Sequence, residues 1–474
     1  MSLSATMEIG RNGLRIYQVA NEVTAENIAN VNTPGYSRQK VVLENAPPTT
    51  ANVFPLGTGV QITSVERVYD GLLQQQLVSS STTLGYDSTK SQVLQQIEPS
   101  FNETAQDGLG AAVSNFFSSW QDLTLNPGGY SERQAVISRS QTLTDNFHSI
   151  SQTLNNTIAN QDAALVPLTS SINATLKNIA QLNGQIKTTE LVSGNANEIR
   201  DQRDQLVRDL SQQIGIKFTE NADGTTDIYV QNGAAKNFLV QGVKSGNLTT
   251  GGTSPATTVN INDVAGATVA VDPNAATPLY TAPDGGQLWA TLQLRDKIIP
   301  NYLTQVDTLA KSITDAVNAV HSTGFSPTGW TRQNFFAPAA AVAGSAANFG
   351  LAAGLTSSTI AASSSATLAG DNAKALAIAQ LSSATTTGVP ATTFNSFYSS
   401  FVSNLGLDVQ SSKTSVTQDE AFSKQLSTLR DSNSGVSLDE ELTNLVKYQR
   451  SYQASAKLIS TVSDMMDVTL AMIR

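Results

Sequence analysis

Ile9, Gly13, Ile16, Ala20 and Val23 recur at alternating steps of four and three, which draws one apolar stripe along a helix from about Leu3 to about Asn30. The stripe ends at Asn32-Thr33-Pro34-Gly35, where Pro34 pre-sets φ and Gly35 accepts the positive φ of a type II turn. At the other end, Leu438, Leu442, Leu445, Gln449, Tyr452, Ala456, Ile459, Ser463, Met466, Leu470 and Ile473 follow a heptad seam. Ser437 with Glu440 three residues on predicts a capping box at its start. The two helices would be roughly 40 and 54 Å long at 1.5 Å per residue. Helices of that length at both ends of a chain are expected to pair.

Between them the pattern predicts more helix. Leu165, Leu168, Ile172, Ile179, Leu182 and Ile186 share one face, and Pro167 is expected to kink or start that segment. A second helix is read from about Ala196 to Ile214. Residues 215–285 change character: short strand-like runs at Ile216–Phe218, Asp227–Val230 and Phe238–Val240 are separated by Asp223-Gly224 and Asn232-Gly233, both strong hairpin signals. Helix returns from about Gly286 to Ser322, with a bend or restart near Pro300, and again at Asn372–Ser382 and Phe394–Leu429. The stretch 339–370 is different, because 25 of its 32 residues are Ala, Ser, Thr or Gly. Such a composition cannot bury a core of its own and reads as a loop or small appendage. The fold class is mainly α with a β-rich insertion: a rod with paired, coiled-coil-like terminal helices, a helical bundle layer and a small β region. The expected units are 1–65 with 431–474 as the terminal helical domain, 66–336 with 371–430 as the bundle carrying the β region, and 337–370 as the reduced appendage.

Composition narrows the chemistry. The chain has 474 residues, no cysteine, two histidines and a net charge of −10. No disulfide scaffold, thiolate metal site or cysteine nucleophile is available. Acidity without a Lys/Arg cluster argues against nucleic acid as a partner, and no apolar run is long enough for membrane insertion. Glu8, Arg11 and Arg15 interrupt any apolar core of a secretory signal peptide. Phosphate-loop, nucleophile-elbow and zinc-helix motifs are missing, so no catalytic, metal or cofactor residue is assigned and an enzyme is not expected. His148 reads as a helix-surface histidine. His321 reads as a helix-end cation complementing the dipole. The run Arg200–Leu210 reads first as a solvated helix face with i,i+4 pairs Arg200–Asp204 and Asp204–Arg208, each worth about 0.2–0.5 kcal/mol. Asn21, Asn27, Asn30 and Asn32 are either a frayed helix end or amides that set register in a helix–helix assembly.

Two segments carry a resemblance. Asn27–Gln39 (NIANVNTPGYSRQ) is similar to the N-terminal signature of bacterial flagellar rod, hook and hook-associated proteins, and Leu438–Lys457 (LDEELTNLVKYQRSYQASAK) resembles their C-terminal signature. Within that axial superfamily, Asp201–Val207 (DQRDQLV), the strand entry Ile214-Gly215-Ile216, Phe335-Phe336 and Gly370-Asp371-Asn372 resemble the hook-associated protein 1 (FlgK) family. Larger members carry an outer β domain between the Phe pair and the Gly-Asp-Asn helix. This chain is expected to have lost or nearly lost it.

The resemblance implies a structural adaptor at the hook–filament junction, assembled as a homo-oligomeric ring at the distal end of the hook. A hook or rod subunit, or a secreted effector or adhesin of flagellar type, is the alternative. Implied partners are the hook protein, the second hook-associated junction protein and a dedicated export chaperone. The implied location is the extracellular flagellum, reached through the flagellar secretion apparatus without a cleaved signal peptide. The expected assembly interface comprises Ile9, Ile16, Val23, Asn27, Asn30, Pro34, Gly35, Tyr36, Leu438, Leu442, Leu445, Tyr452, Ile459, Met466 and Leu470. Leu442, Leu445, Tyr452 and Ile459 are also the expected chaperone-binding stripe.

Overall fold

The computed structural model describes residues 3–47, 57–102, 108–192, 194–329, 333–368, 370–385, 388 and 392–472. Helix α1 (Leu3–Ala29) ends in a turn where the Tyr36 N–H donates to the Thr33 carbonyl and Gly35 holds φ at +84°. Pro34 and Gly35 thus occupy the two central positions of the expected type II turn. The chain then forms an antiparallel hairpin of β1 (Gln39–Asn45) and β2 (Val60–Arg67). Asp70 caps α2 (Gly71–Ile97) by accepting from the N–H groups of Leu72 and Leu73. Helix α3 (Leu109–Leu125) follows, and then α4 (Tyr130–Val192), 63 residues and roughly 95 Å long at the standard rise.

Helix α4 starts far earlier than expected and runs through Pro167. The missing N–H of Pro167 costs the helix one backbone bond. Contacts on both sides hold it: Asp162 accepts from Thr257 and Arg295, and Asn173 exchanges two hydrogen bonds with the backbone of Leu248. Helix α5 (Asn197–Gln213) leads into the β region. There β3 (Lys217–Glu220), β4 (Thr226–Asn232), β5 (Ala235–Gln241) and β6 (Lys244–Ser245) form one antiparallel sheet. A second sheet comprises β7 (Asn247–Gly251), β8 (Thr258–Asn262) and β9 (Thr268–Ala270). Helix α6 (Gly286–Gln293) passes through one wide π turn, Leu294–Ile298, into α7 (Ile299–His321), so the restart falls just before Pro300. The chain closes with α8 (Ala373–Gln380), α9 (Phe394–Ser434) and α10 (Leu438–Ala471).

Two apolar cores lie along α4. One joins α3, the first part of α4, α7, α8 and the start of α9 around Phe116, Trp120, Phe147 and Phe336. The other joins the second part of α4 to α5, α6 and both small sheets around Leu176, Leu210, Ile228 and Trp289. Segment 333–362 contributes Phe335, Phe336, Ala346, Phe349, Ile360 and Ala362 to the first core without forming a strand. Buried polar side chains satisfy its backbone instead. Asn318 accepts from the N–H groups of Phe335 and Phe336 and donates to the Phe336 carbonyl. Asp307 accepts from Gly344 and Ala346. Arg133 donates to the carbonyls of Ile360 and Ser357, and to that of Pro127.

His321 completes this group and corrects the sequence reading. It is fully buried; Nδ1 lies 2.7 Å from the Gln333 carbonyl and Nε2 accepts from the Ala361 N–H at 2.9 Å. One nitrogen must therefore carry a proton and the other must not, which is the neutral ring. Burial, with the nearby charge of Arg133, depresses its pKa to about 4, so it is not a helix-end cation. The capping box is also absent. Ser437 makes no capping hydrogen bond and Glu440 turns to Arg38.

Candidate assembly interface

Helices α1 and α10 pack antiparallel, as the glycines of α1 show. A Cβ on Gly10 would lie 2.8 Å from Ile459 Cγ1, and one on Gly13 would lie 2.8 Å from Ser455 Oγ. Small residues on α1 thus let the two backbones approach closely. Tyr17 stacks on Tyr448 further along. Ile9 lies instead against Gly59 beside the β1–β2 hairpin, and Ile16, Ala20 and Val23 are buried.

The seam on α10 is rotated from the one expected. Glu441 and Val462 are its buried residues, with Tyr448, Ser455 and Ile459 half-buried between them. Leu445, Ile459 and Met466 of the expected seam are half-buried, but Leu438, Leu442, Tyr452 and Leu470 are exposed. Ile473 lies outside the described residues. The covered side of α10 therefore mixes Glu441, Tyr448 and Ser455 with Leu445, Ile459, Val462 and Met466, while Leu438, Leu442, Val446, Tyr452, Met465, Val468 and Leu470 are left exposed.

One end of the pair is fixed by a buried polar node. Asn27 is 1% exposed. Its Nδ2 donates to the Gln39 carbonyl at 2.9 Å and to Glu441 Oε2 at 3.3 Å. Its Oδ1 accepts from Tyr36 OH and from the Gln39 N–H, both at 2.9 Å. All the hydrogen-bonding capacity of the amide is used, which excludes a frayed end at this residue. Arg38 adds paired bonds to Glu440 and Glu441, each 2.7 Å, and its N–H donates to the Ser434 carbonyl. Arg430 donates to the carbonyls of Gly35 and Tyr36. The turn is thereby tied to α9 and α10, more than 390 residues away in sequence. Burial first, then the charge of Glu26, pushes the Tyr36 hydroxyl above its ordinary pKa, so it remains a donor. Pro34 is exposed; Gly35 and Asn30 are half-buried.

The run Arg200–Leu210 is not a solvated face. Asp201 and Asp204 are buried, and the Arg67 guanidinium, 6% exposed, bridges them at 2.8 and 2.7 Å. Burial opposes the charge on Arg67, but Asp204 and Asp201 more than offset it and raise its pKa. Asp201 also accepts from the N–H and hydroxyl of Ser37. Arg203 donates to the Gly224 carbonyl, and Arg200 pairs with Glu190 and Glu220. Arg208 donates to Gln74 and Gln205 rather than to Asp204. The expected i,i+4 pairs are replaced by bonds that join α5 to the turn, β2, α2 and β3.

Among the described residues, no group of three or more His, Asp or Glu could hold a metal, and no helix is long and apolar enough to cross a membrane. His148 sits exposed on α4.

Similarity to known proteins agrees with the layout. A family model described as flagellar hook-associated protein FlgK helical domain matches residues 94–336. Models described as flagella basal body rod protein and flagellar basal body rod FlgEFG protein C-terminal match 7–36 and 430–472. Flagellar hook-associated protein 1 of Bacillus subtilis (strain 168) is 29% identical over 497 residues, covering 97% of this chain and 96% of that protein. Its counterpart in Escherichia coli (strain K12) is 26% identical over 569 residues, covering 99% of this chain and 100% of that protein. The solved structure of the flagellar hook junction protein FlgK from Burkholderia pseudomallei shares the fold, with a TM-score of 0.65 at 17% identity over 77% of this chain and all of that one. The helical-domain match spans more than half of the 474 residues, and the chain belongs to the FlgK family of flagellar hook-associated proteins.

Proposed function

We propose that this protein is a structural adaptor of the bacterial flagellum, assembling as a ring of identical subunits at the hook–filament junction. The observation that carries this reading is the large apolar surface that α10 leaves uncovered. Its contact with α1 uses Tyr448, Ser455 and Ile459, while Leu438, Leu442, Val446, Tyr452, Met465, Val468 and Leu470 stay exposed. A helix pair that ends its folding as a monomer buries its Leu and Met residues; one that awaits neighbours exposes them. Hook-associated relatives that align over nearly the full length support the hook–filament junction over a hook or rod subunit.

The same exposure gives a mechanism. Only two residues of α10 are buried within the chain, so the distal parts of α1 and α10 remove little apolar surface from water. At about 25 cal/mol per Å², that burial does not offset an ordering cost of about 1–2 kcal/mol per residue. The distal turns therefore order on assembly, when neighbouring copies, the hook protein and the second junction protein cover the outer stripe. Export of a partly unfolded chain through the flagellar secretion apparatus fits this order of events. An export chaperone would cover α10 beforehand. Leu442 and Tyr452 are exposed, whereas Leu445 is half-buried and Ile459 packs on Gly10 of α1, so it would bind a state in which α1 has moved away. Asp at Leu445 and Ile459 should then abolish chaperone binding, and unchanged affinity would exclude that stripe.

The test is electron microscopy of cells lacking the gene, with flagellin assayed in the medium. Intact hooks without filaments and flagellin lost to the medium are expected. Absent hooks would move the protein to the rod or hook, and normal filaments would overturn the assembly role.

A further inference from the structure

The arginines packed between elements of this chain generally meet a carboxylate. Arg67 bridges Asp201 and Asp204, Arg200 takes Glu190 and Glu220, and Arg295 takes Asp162 and Asp296. Arg133 meets backbone carbonyls instead, those of Pro127, Ser357 and Ile360, and holds their loops in place. Arg208 on α5 does neither. Its Nη1 donates to Gln74 Oε1 at 2.7 Å and its Nη2 to Gln205 Oε1 at 2.6 Å, and no carboxylate among the described residues lies within ion-pairing distance of it.

Arg208 borders a cavity of about 340 Å³ between the Pro34-Gly35 turn, α2, α5 and α9, and a second guanidinium, that of Arg430, borders the same cavity. Ser81, Ser423, Ser427 and Gln212 add hydroxyl and amide groups to its wall. The turn comes close because residue 35 has no side chain: a Cβ there would lie 3.5 Å from Arg208 Nη2. Asp209 and Asp431 are the carboxylates at the rim. Asp209 is exposed and accepts from Gln205, and Asp431, its side chain 69% exposed, lies 3.3 Å from Arg430 Nη1. Burial first, then the charge of Arg430, lowers the pKa of Arg208, and Asp204, Asp209 and Asp201 act more weakly in the other direction. A guanidinium drawn out of water beside a like charge is a cost that an anion between the two would relieve. Planar N–H forks and hydroxyl donors are also the groups that hold carboxylate and phosphate oxygens.

We propose that this cavity is an oxyanion site formed by Arg208 and Arg430, and that in the assembled ring it takes a carboxylate side chain of an adjacent subunit. The second half rests on the assembly role proposed above; the first does not. The chain has 38 Asp and Glu against 28 Lys and Arg, so an adjacent copy brings more carboxylates than cations to a contact. The lone chain bears the cost of the unpaired guanidinium, and a docked carboxylate removes it, so the site favours the assembled state over the monomer.

Inorganic phosphate is the probe for the site itself. Urea unfolding of the full chain is titrated with phosphate at pH 7.5, with ionic strength held constant by sodium chloride. The natural chain should show a saturable stabilisation, its unfolding equilibrium shifted about elevenfold at ten times the half-saturating concentration. General stabilisation by excluded phosphate acts on every variant alike and does not saturate. Arg208→Met removes the charge at similar length and should lose the saturable part, whereas Arg208→Lys should keep most of it. Ser427→Asp leaves both arginines in place and puts a carboxylate on the cavity wall, so it should lose the response without loss of a cation. No saturable response in the natural chain, or the same response in Arg208→Met and Ser427→Asp, overturns the site. The source of the anion is read in cells. Arg208→Met should be exported yet fail to support filaments, and Arg208→Lys should restore them. Normal filaments with Arg208→Met would overturn the adjacent carboxylate and assign the site to a free anion. If cells lacking the gene also build normal filaments, the assembly reading fails, and the phosphate titration still decides the site.

Discussion

Replacing Asn27 with Asp keeps the shape of the node and reverses part of its electrostatics. The Gln39 N–H and Tyr36 OH still find an acceptor, but the two bonds donated by Nδ2 are lost. A second carboxylate would stand about 3.3 Å from Glu441 Oε2, a repulsion of about 5 kcal/mol at an effective dielectric of about 20. Arg38, 2.7 Å from Glu441, offsets part of that, leaving a loss of about 3–5 kcal/mol at pH 8. Asn27→Ala acts differently. It orphans the Gln39 N–H and the Tyr36 OH at about 1–3 kcal/mol each, and water entering the space recovers some of it, for about 2–4 kcal/mol. The two variants should therefore separate by pH rather than by size. Urea unfolding of the full chain, with amide exchange of residues 20–40 as the local readout, should place Asn27→Asp below Asn27→Ala at pH 8. The gap should close toward pH 4.5, where the acidic pair takes up a proton. If Asn27→Asp equals or exceeds Asn27→Ala at pH 8, or the gap ignores pH, the node does not hold α1 to α10.

Arg67→Ala leaves Asp201 and Asp204 as buried carboxylates without their bridge and should cost about 3–5 kcal/mol in urea unfolding, whereas a loss under 1 kcal/mol would mean the pair is solvated. Gly13→Leu places a side chain where Ser455 Oγ already sits, and should cost about 1–3 kcal/mol and expose α10 to protease despite the better helix propensity of Leu. Leu442→Asp with Leu470→Asp should leave monomer stability within about 0.5 kcal/mol and still prevent ring or filament formation in cells, because both side chains face solvent in the single chain. Lowering pH from 6.5 to 4 should weaken the 333–362 segment by up to about 3 kcal/mol as His321 gains a proton, read as amide exchange at Ala361; protection unchanged at pH 4 would contradict the neutral buried ring.

Local chemistry made the turn legible: Pro34 and Gly35 act within four residues, and nothing distant competes with them. The apolar stripe of α1 was legible for the same reason. On α10 the hydrophobic period picked out a seam of which Leu445, Ile459 and Met466 are half-buried and Leu438, Leu442, Tyr452 and Leu470 are exposed. The rotation is set by Glu441, Tyr448 and Ser455, whose fit depends on Gly13, Tyr17 and Asn27 at the far end of the chain. Arg200–Leu210 looked solvated because the residues that bury it, Ser37, Arg67 and Gln74, lie more than 125 positions away. Charge spacing within a helix cannot report such partners. His321 was misread on the same ground, since Gln333 and Ala361 lie in a stretch with no periodicity to place them.

Asp307, Asn318, His321 and Arg133 together explain how an Ala- and Ser-rich segment packs against a core without strands. Each side chain supplies the hydrogen bonds that a neighbouring strand would have supplied, so a few large residues, Phe335, Phe336, Phe349 and Ile360, suffice to anchor it. The arrangement ties the packing of this segment to the charge on one ring. His321 must be neutral, so its contribution is complete above its unfolded pKa of about 6.5 and is lost as pH falls toward 4. Opening of the segment in acid should therefore precede global unfolding, with Ala361 losing amide protection before Leu309 in the same core does. Loss of protection at both positions together would mean that the protonation of this ring does not release the segment.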